Sequence, residues 1–175
     1  DRRWNHNEPT DFLDLESNVL QARVTAEPVE GLAVDFGIRW NDGTEVQNYH
    51  EPFGLFDSDG DGVVDSSRRQ YRDQLRQTES LSLGTNAVWS ADLGPVQNRV
   101  LVGGDWFTSD AGFTGVSFAG GTTAEPGFPT PLSLLDPQYG ETDSTTYLLP
   151  PMRITESRQT RYGVYALNEA TIGPV

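Results

Sequence analysis

The segment Asp57-Ser58-Asp59-Gly60-Asp61-Gly62-Val63-Val64-Asp65 has oxygen ligands at the first, third, fifth and ninth places of a loop. A glycine stands at the sixth place and a backbone carbonyl, that of Val63, at the seventh. This spacing folds oxygens around a hard cation in calcium loops, so Asp57, Asp59, Asp61, Val63 and Asp65 are the candidate calcium ligands. The twelfth place, normally a bidentate glutamate, is Arg68, and no helical period flanks the loop. The site therefore lacks its strongest ligand, and the competing reading is a solvated acidic turn neutralised by Arg68.

Arg68, Arg69, Arg72 and Arg76 follow directly on the acidic turn. They could receive an anionic ligand, or they could pair with neighbouring carboxylates. Aromatic residues are scattered through the same polar regions: Tyr49, Phe53, Phe56, Tyr71, Phe113, Phe118, Phe128, Tyr139 and Tyr147. Such side chains offer rigid contact area with a polar handle, or they pack loops together. His6 and His50 are the only histidines, and neither has a nucleophile or second histidine at a telling spacing. No nucleophile elbow is present, and nothing singles out a pair of catalytic carboxylates among so many acids. No enzymatic activity is expected.

Composition removes further classes. The 175 residues contain no cysteine, which excludes thiolate metal sites, iron–sulfur clusters and cysteine nucleophiles. All 12 basic residues are arginine, so neither a P-loop lysine nor a Schiff-base lysine exists. With 26 acids the net charge is -14, which argues against nucleic acid as a partner. No apolar stretch is long enough for a transmembrane helix. The chain does not begin with Met and shows no apolar signal core, so either a signal was removed or the chain belongs to something longer.

The elements that must position these residues are strands. Leu20, Ala22, Val24 and Ala26 alternate with Gln21, Arg23, Thr25 and Glu27, then Pro28-Val29-Glu30-Gly31 turns, then Leu32, Val34, Phe36, Ile38 and Trp40 alternate with smaller or polar residues. Leu20, Ala22, Val24, Leu32, Val34, Phe36 and Ile38 are expected to share a face. A second hairpin runs through Leu81 to Trp89, turns at Asp92-Leu93-Gly94-Pro95, and returns from about Gln97 to Thr108; a fifth strand spans about Ser157 to Ile172. Such lengths match the ~9–11 residues needed to cross a bilayer with tilt. Connections alternate between short turns, 28–31 and 92–96, and long polar loops, about 41–76 and 109–156, the asymmetry of outer-membrane β-barrels. Trp40 and Trp106 close strands at the long-loop end and Trp89 lies at the short-turn end, as interfacial girdles do.

In Glu30-Gly31-Leu32, Arg99-Val100-Leu101-Val102-Gly103-Gly104-Asp105-Trp106, Leu135-Asp136-Pro137-Gln138-Tyr139-Gly140 and Thr160-Arg161-Tyr162-Gly163-Val164-Tyr165, the chain resembles the barrel portion of TonB-dependent siderophore receptors of the ferrichrome and pyoverdine kind. The resemblance implies an all-β, antiparallel up-and-down meander: residues 1–175 as one partial β-barrel region of about five strands, from a barrel of roughly 22. It implies the bacterial outer membrane, with 41–76 and 109–156 extracellular and 28–31 and 92–96 periplasmic. It also implies energy-coupled uptake of a ferric siderophore, with iron present only as cargo, outer-membrane lipid as surroundings, and TonB engaged through a plug domain not in this chain. Tyr49, Tyr71, Phe113, Phe118, Tyr139, Arg69 and Arg72 are then the expected ligand contacts. No cofactor is required beyond the calcium allowed at 57–65. The competing expectation is a secreted, calcium-stabilised β-sandwich for adhesion or carbohydrate binding, which alternation alone does not separate from a barrel wall.

Overall fold

The computed structural model describes residues 5–140 and 142–173; Asp1 to Trp4, Glu141, Pro174 and Val175 lie outside the described residues. The chain is all-β, an antiparallel up-and-down sheet that does not close among the described residues. Its strands are β1 (Phe12–Val29), β2 (Leu32–Phe56), β3 (Ser66–Leu93), β4 (Val96–Ala119), the two-residue β5 (Leu132–Ser133) and β6 (Arg153–Ile172). They follow the order β1-β2-β3-β4-β6, with β5 attached to β3 through Ser66 opposite Ser133 and Ser67 opposite Leu132. The described strands belong to this one sheet; no second sheet is stacked on it, as a sandwich would need. No described helix is long and apolar enough to cross a membrane.

The strands continue well into the segments read from sequence as long loops. β2 and β3 are joined by 57–65 alone, and β4 runs to Ala119 before a loop that ends at β6. The reason is that polar pairs sustain the ladder there: Glu51 receives Gln70 Nε2 at 2.8 Å, Glu45 faces Arg76 at 3.8 Å, and Arg68 lies over the Phe53 ring. A strand held by cross-strand polar pairs shows no apolar alternation to read.

The described residues form two compact units. One comprises the residues up to Glu16 with Thr44–Gln77 and Gly112–Thr155; the other comprises Ser17–Gly43, Thr78–Ala111 and the residues from Glu156 on. In the second unit, facing is fixed by contacts. Asp35 accepts from Arg23 Nε at 2.6 Å and from Thr25 Oγ1 at 3.2 Å, and Tyr165 Oη donates to Asn86 Oδ1 at 2.5 Å across Gly103. By alternation, Leu20, Ala22, Val24, Val34, Phe36, Ile38, Trp89, Val102, Tyr162 and Val164 take the opposite face. The β1–β2 turn keeps these sets apart with one extra residue, Gly31, whose φ of 79° is that of a G1 bulge.

Candidate functional site

Three places carry chemistry. The first is the 57–65 loop. Asp57 Oδ1 accepts the Gly60 N–H at 2.7 Å and Oδ2 the Gly62 N–H at 2.7 Å; Asp59 Oδ1 accepts the Asp61 N–H at 3.1 Å and Asp61 Oδ1 the Val63 N–H at 2.8 Å. Glycines at 60 and 62 adopt φ of 80° and 92°, which lets the backbone coil tightly enough for these bonds. One carboxylate oxygen from each of Asp57, Asp59 and Asp61 lies within 4.8 Å of the others. Asp65 is turned elsewhere, accepting from Ser58 N at 2.9 Å and Ser58 Oγ at 2.7 Å. Arg68 is committed to the Gly120 carbonyl and the Phe53 ring. Three of the usual six to eight oxygens are thus gathered, and the donor chemistry fits a hard cation held weakly. The Gly62 N–H, helped by the Gly60 N–H and opposed by desolvation, holds Asp57 below the usual carboxylate range, and Ser58 does the same for Asp65.

The second place is one face of the first unit, where the residues of β2, β3 and β4 alternate between two environments. Tyr49, Phe53, Arg68, Arg72, Arg76 and Phe113 share the uncovered side. Arg72 binds Glu51 at 2.6 Å, and Tyr49 Oη donates to the same carboxylate at 3.4 Å. Arg76 lies 5.8 Å from the Phe113 ring centroid and Arg68 5.1 Å from that of Phe53. Three guanidiniums and two glutamates line this strip, with Arg72 and Arg76 paired to Glu51 and Glu45 and Arg68 left to the Phe53 ring and the Gly120 carbonyl.

The third place lies on the opposite side of the same unit, beneath the loop 120–152. Tyr71, Phe118, Phe128 and Tyr147 pack as a ring cluster with His50, with centroids 5.0–6.1 Å apart. Arg69, 1% exposed, is bonded to Glu8, to the Thr130 carbonyl at 2.6 Å and to Thr142 Oγ1 at 2.8 Å. His50, also 1% exposed, sets Nδ1 2.9 Å from Asp11 Oδ1 and Nε2 2.7 Å from Tyr147 Oη. Burial pushes the Tyr147 hydroxyl well above its ordinary value. The Asp11 carboxylate can only accept, so His50 Nδ1 carries the proton it receives, and in the neutral ring Nε2 is then the acceptor of the Tyr147 hydroxyl. Burial opposes ionisation of Asp11, but the bonds from the His50 ring and backbone N–H outweigh it and hold the carboxyl below its usual range.

The seven expected ligand contacts therefore separate. Tyr49, Arg72 and Phe113 lie on the uncovered strip, whereas Arg69, Tyr71 and Phe118 are struts and packing under the loop. Tyr139 stands apart, donating to the Asn5 carbonyl at 2.8 Å. The Asp11–His50–Tyr147 chain escapes sequence reasoning because its members lie 39 and 97 residues apart. No local signal marks His50, which stands in the polar stretch 41–76 where no alternation shows a strand. No protein-family model and no curated protein matches the chain.

Proposed function

We propose that this chain forms part of the wall and outer loops of a bacterial outer-membrane transporter that takes up a ferric siderophore with energy coupled through TonB. The observation that carries the reading is the apolar face of the second unit. Leu20, Val24, Phe36, Ile38, Val102 and Val164 are exposed there, Val164 to 91%, a contiguous apolar surface of a kind that water-facing domains avoid. The band has edges. Trp89 lies at the turn end; Trp40 lies at the other, its indole donating to Glu79 at 2.9 Å, and beyond it Arg158 binds Asp110 at 2.6 Å. Between these limits Leu32–Trp40 and Val96–Trp106 have the ~9–11 residues of a membrane-crossing strand. A band of lipid-facing residues edged by aromatics and then charges is what a bilayer selects.

The arginine and aromatic strip supports the cargo half of the reading, because guanidiniums stacked on rings suit an anionic, partly apolar chelate better than a neutral sugar. The protein does no covalent chemistry in this scheme: loops bind and strands wall. Flotation with phospholipid and lipopolysaccharide vesicles tests the wall, and titration of micellar protein with ferric hydroxamate and ferric catecholate chelates, read by tryptophan quenching, tests the cargo. Co-flotation and saturable quenching weakened by Arg72→Gln are expected. A chain that stays with the aqueous fraction as a soluble monomer overturns the reading.

A further inference from the structure

We propose that the acidic turn Glu8-Pro9-Thr10-Asp11 is a strap whose seating decides whether the loop 120–152 is closed over the aromatic cluster. The proposal concerns the first unit alone and stands independently of the transport reading. The turn is closed on itself, Asp11 N donating to the Glu8 carbonyl at 3.0 Å and Glu8 N to Asp11 Oδ2 at 2.8 Å, so its two carboxylates move together. Glu8 binds Arg69 and accepts the Gly140 N–H at 2.5 Å; Asp11 accepts the His50 N–H at 2.7 Å as well as its ring.

Each of these partners is in turn a fastening of the loop. Arg69 carries Thr130 and Thr142, His50 carries Tyr147, and Gly140 belongs to the loop itself. These ties thus either end on the strap or pass through Arg69 or His50, the buried groups that the strap's two carboxylates bind. Withdrawing the turn leaves a buried guanidinium without its carboxylate and a buried imidazole N–H without an acceptor, the two states a protein interior tolerates least. The loop cannot stay closed over both, so it opens as the strap leaves. What remains is the two-residue β5 with the Leu134 N–H on the Asp65 carbonyl, the bonds of Gly120 at the loop's start, the Tyr71–Ser144 bond, the packing of Phe128 and Tyr147, and the buried side chains of Leu132 and Pro129, none of which satisfies the Arg69 guanidinium or the His50 ring. Room to move exists: a concavity of about 320 Å³ lined by Pro9, Thr10, Thr142, Asp143, Ser144 and Thr145 separates the turn from the loop. Anything that draws on the chain around residues 5–11 is thereby transmitted to a loop more than a hundred residues away in sequence.

The absence of cysteine makes a clean test possible. Leu132→Cys, at a position 2% exposed, reports loop opening through its rate of maleimide labelling in the full chain in detergent micelles, and Leu83→Cys reports the second unit. Glu8→Gln with Asp11→Asn should speed labelling at 132 by about tenfold or more and leave 83 unchanged, because isosteric amides keep the shape but remove both charges. If the double variant does not fold, Glu8→Gln alone is read in the same way. An unchanged rate at 132 overturns the strap, and so does equal acceleration at both positions, which is the mark of a generally loosened sheet.

Discussion

His50 gains all of its side-chain chemistry from residues distant in sequence, and the energetics of that arrangement can be tested one atom at a time. Tyr147→Phe removes the hydroxyl that satisfies Nε2 while keeping the ring that packs on Tyr71 and His50. A buried acceptor left unpaired costs roughly 1–3 kcal/mol, so the unfolding midpoint in urea should fall accordingly, with hydrogen exchange rising in 120–152. A variant as stable as the parent would mean that water replaces the hydroxyl. Asp57 and Asp65 give a second residue-scale expectation. Both have carboxyls held below their unfolded value by bonds that only the folded loop supplies. Their contribution is therefore complete above the ordinary carboxylate value of about 3.9 and is lost as pH falls through the lower folded values. Amide exchange at Gly60 and Gly62 should stay protected down to about pH 4 and loosen only below it; loosening that begins near pH 6 would show that other groups govern the loop.

At the scale of elements, the first hairpin was legible because its apolar and polar residues are sorted onto opposite faces: Leu20 to Ala26 and Leu32 to Ile38 alternate cleanly, and the contacts of Asp35 place them as the alternation requires. The outer halves of the strands were not legible. Glu45, Glu51, Arg68, Gln70 and Arg76 stabilise them by pairing across strands, and a pair has no local pattern. For the same reason the arginine run could not be apportioned from sequence. Consecutive strand positions face opposite sides, so Arg68 stacks on the uncovered face while Arg69 is buried behind it. The convergence of Asp57, Asp59 and Asp61 was legible as a motif, yet the commitment of Asp65 to Ser58 was not. Three converging carboxylates with a displaced fourth should bind calcium no better than ~10⁻⁴–10⁻³ M. Isothermal titration should show that heat, Asp59→Ala with Asp61→Ala should abolish it, and calcium should slow exchange across 57–65. No calcium-dependent heat and no change in exchange would leave an acidic turn held by its own backbone N–H groups.

For the whole molecule the decisive property is that one substitution should act with opposite sign in two solvents. Phe36 lies near the middle of the apolar band, 47% exposed, between Trp89 at one edge and Trp40 at the other. In a bilayer, Phe36→Arg places a guanidinium where neither water nor a carboxylate is at hand, at a cost of about 2–4 kcal/mol at the midplane. In water the same change breaks an apolar surface flanked by unpaired strand edges, the combination that drives association. Reversible unfolding in phospholipid bilayers should therefore show the variant destabilised by that amount, while light scattering in detergent-free buffer shows it aggregating less than the parent. Gln21→Arg, on the polar face beside Arg23, should stay within roughly 0.5 kcal/mol in the bilayer, because the proposed wall turns that face away from lipid. If Phe36→Arg were as innocuous as Gln21→Arg in the bilayer, the band would not face lipid, and its exposure would have to be covered by protein.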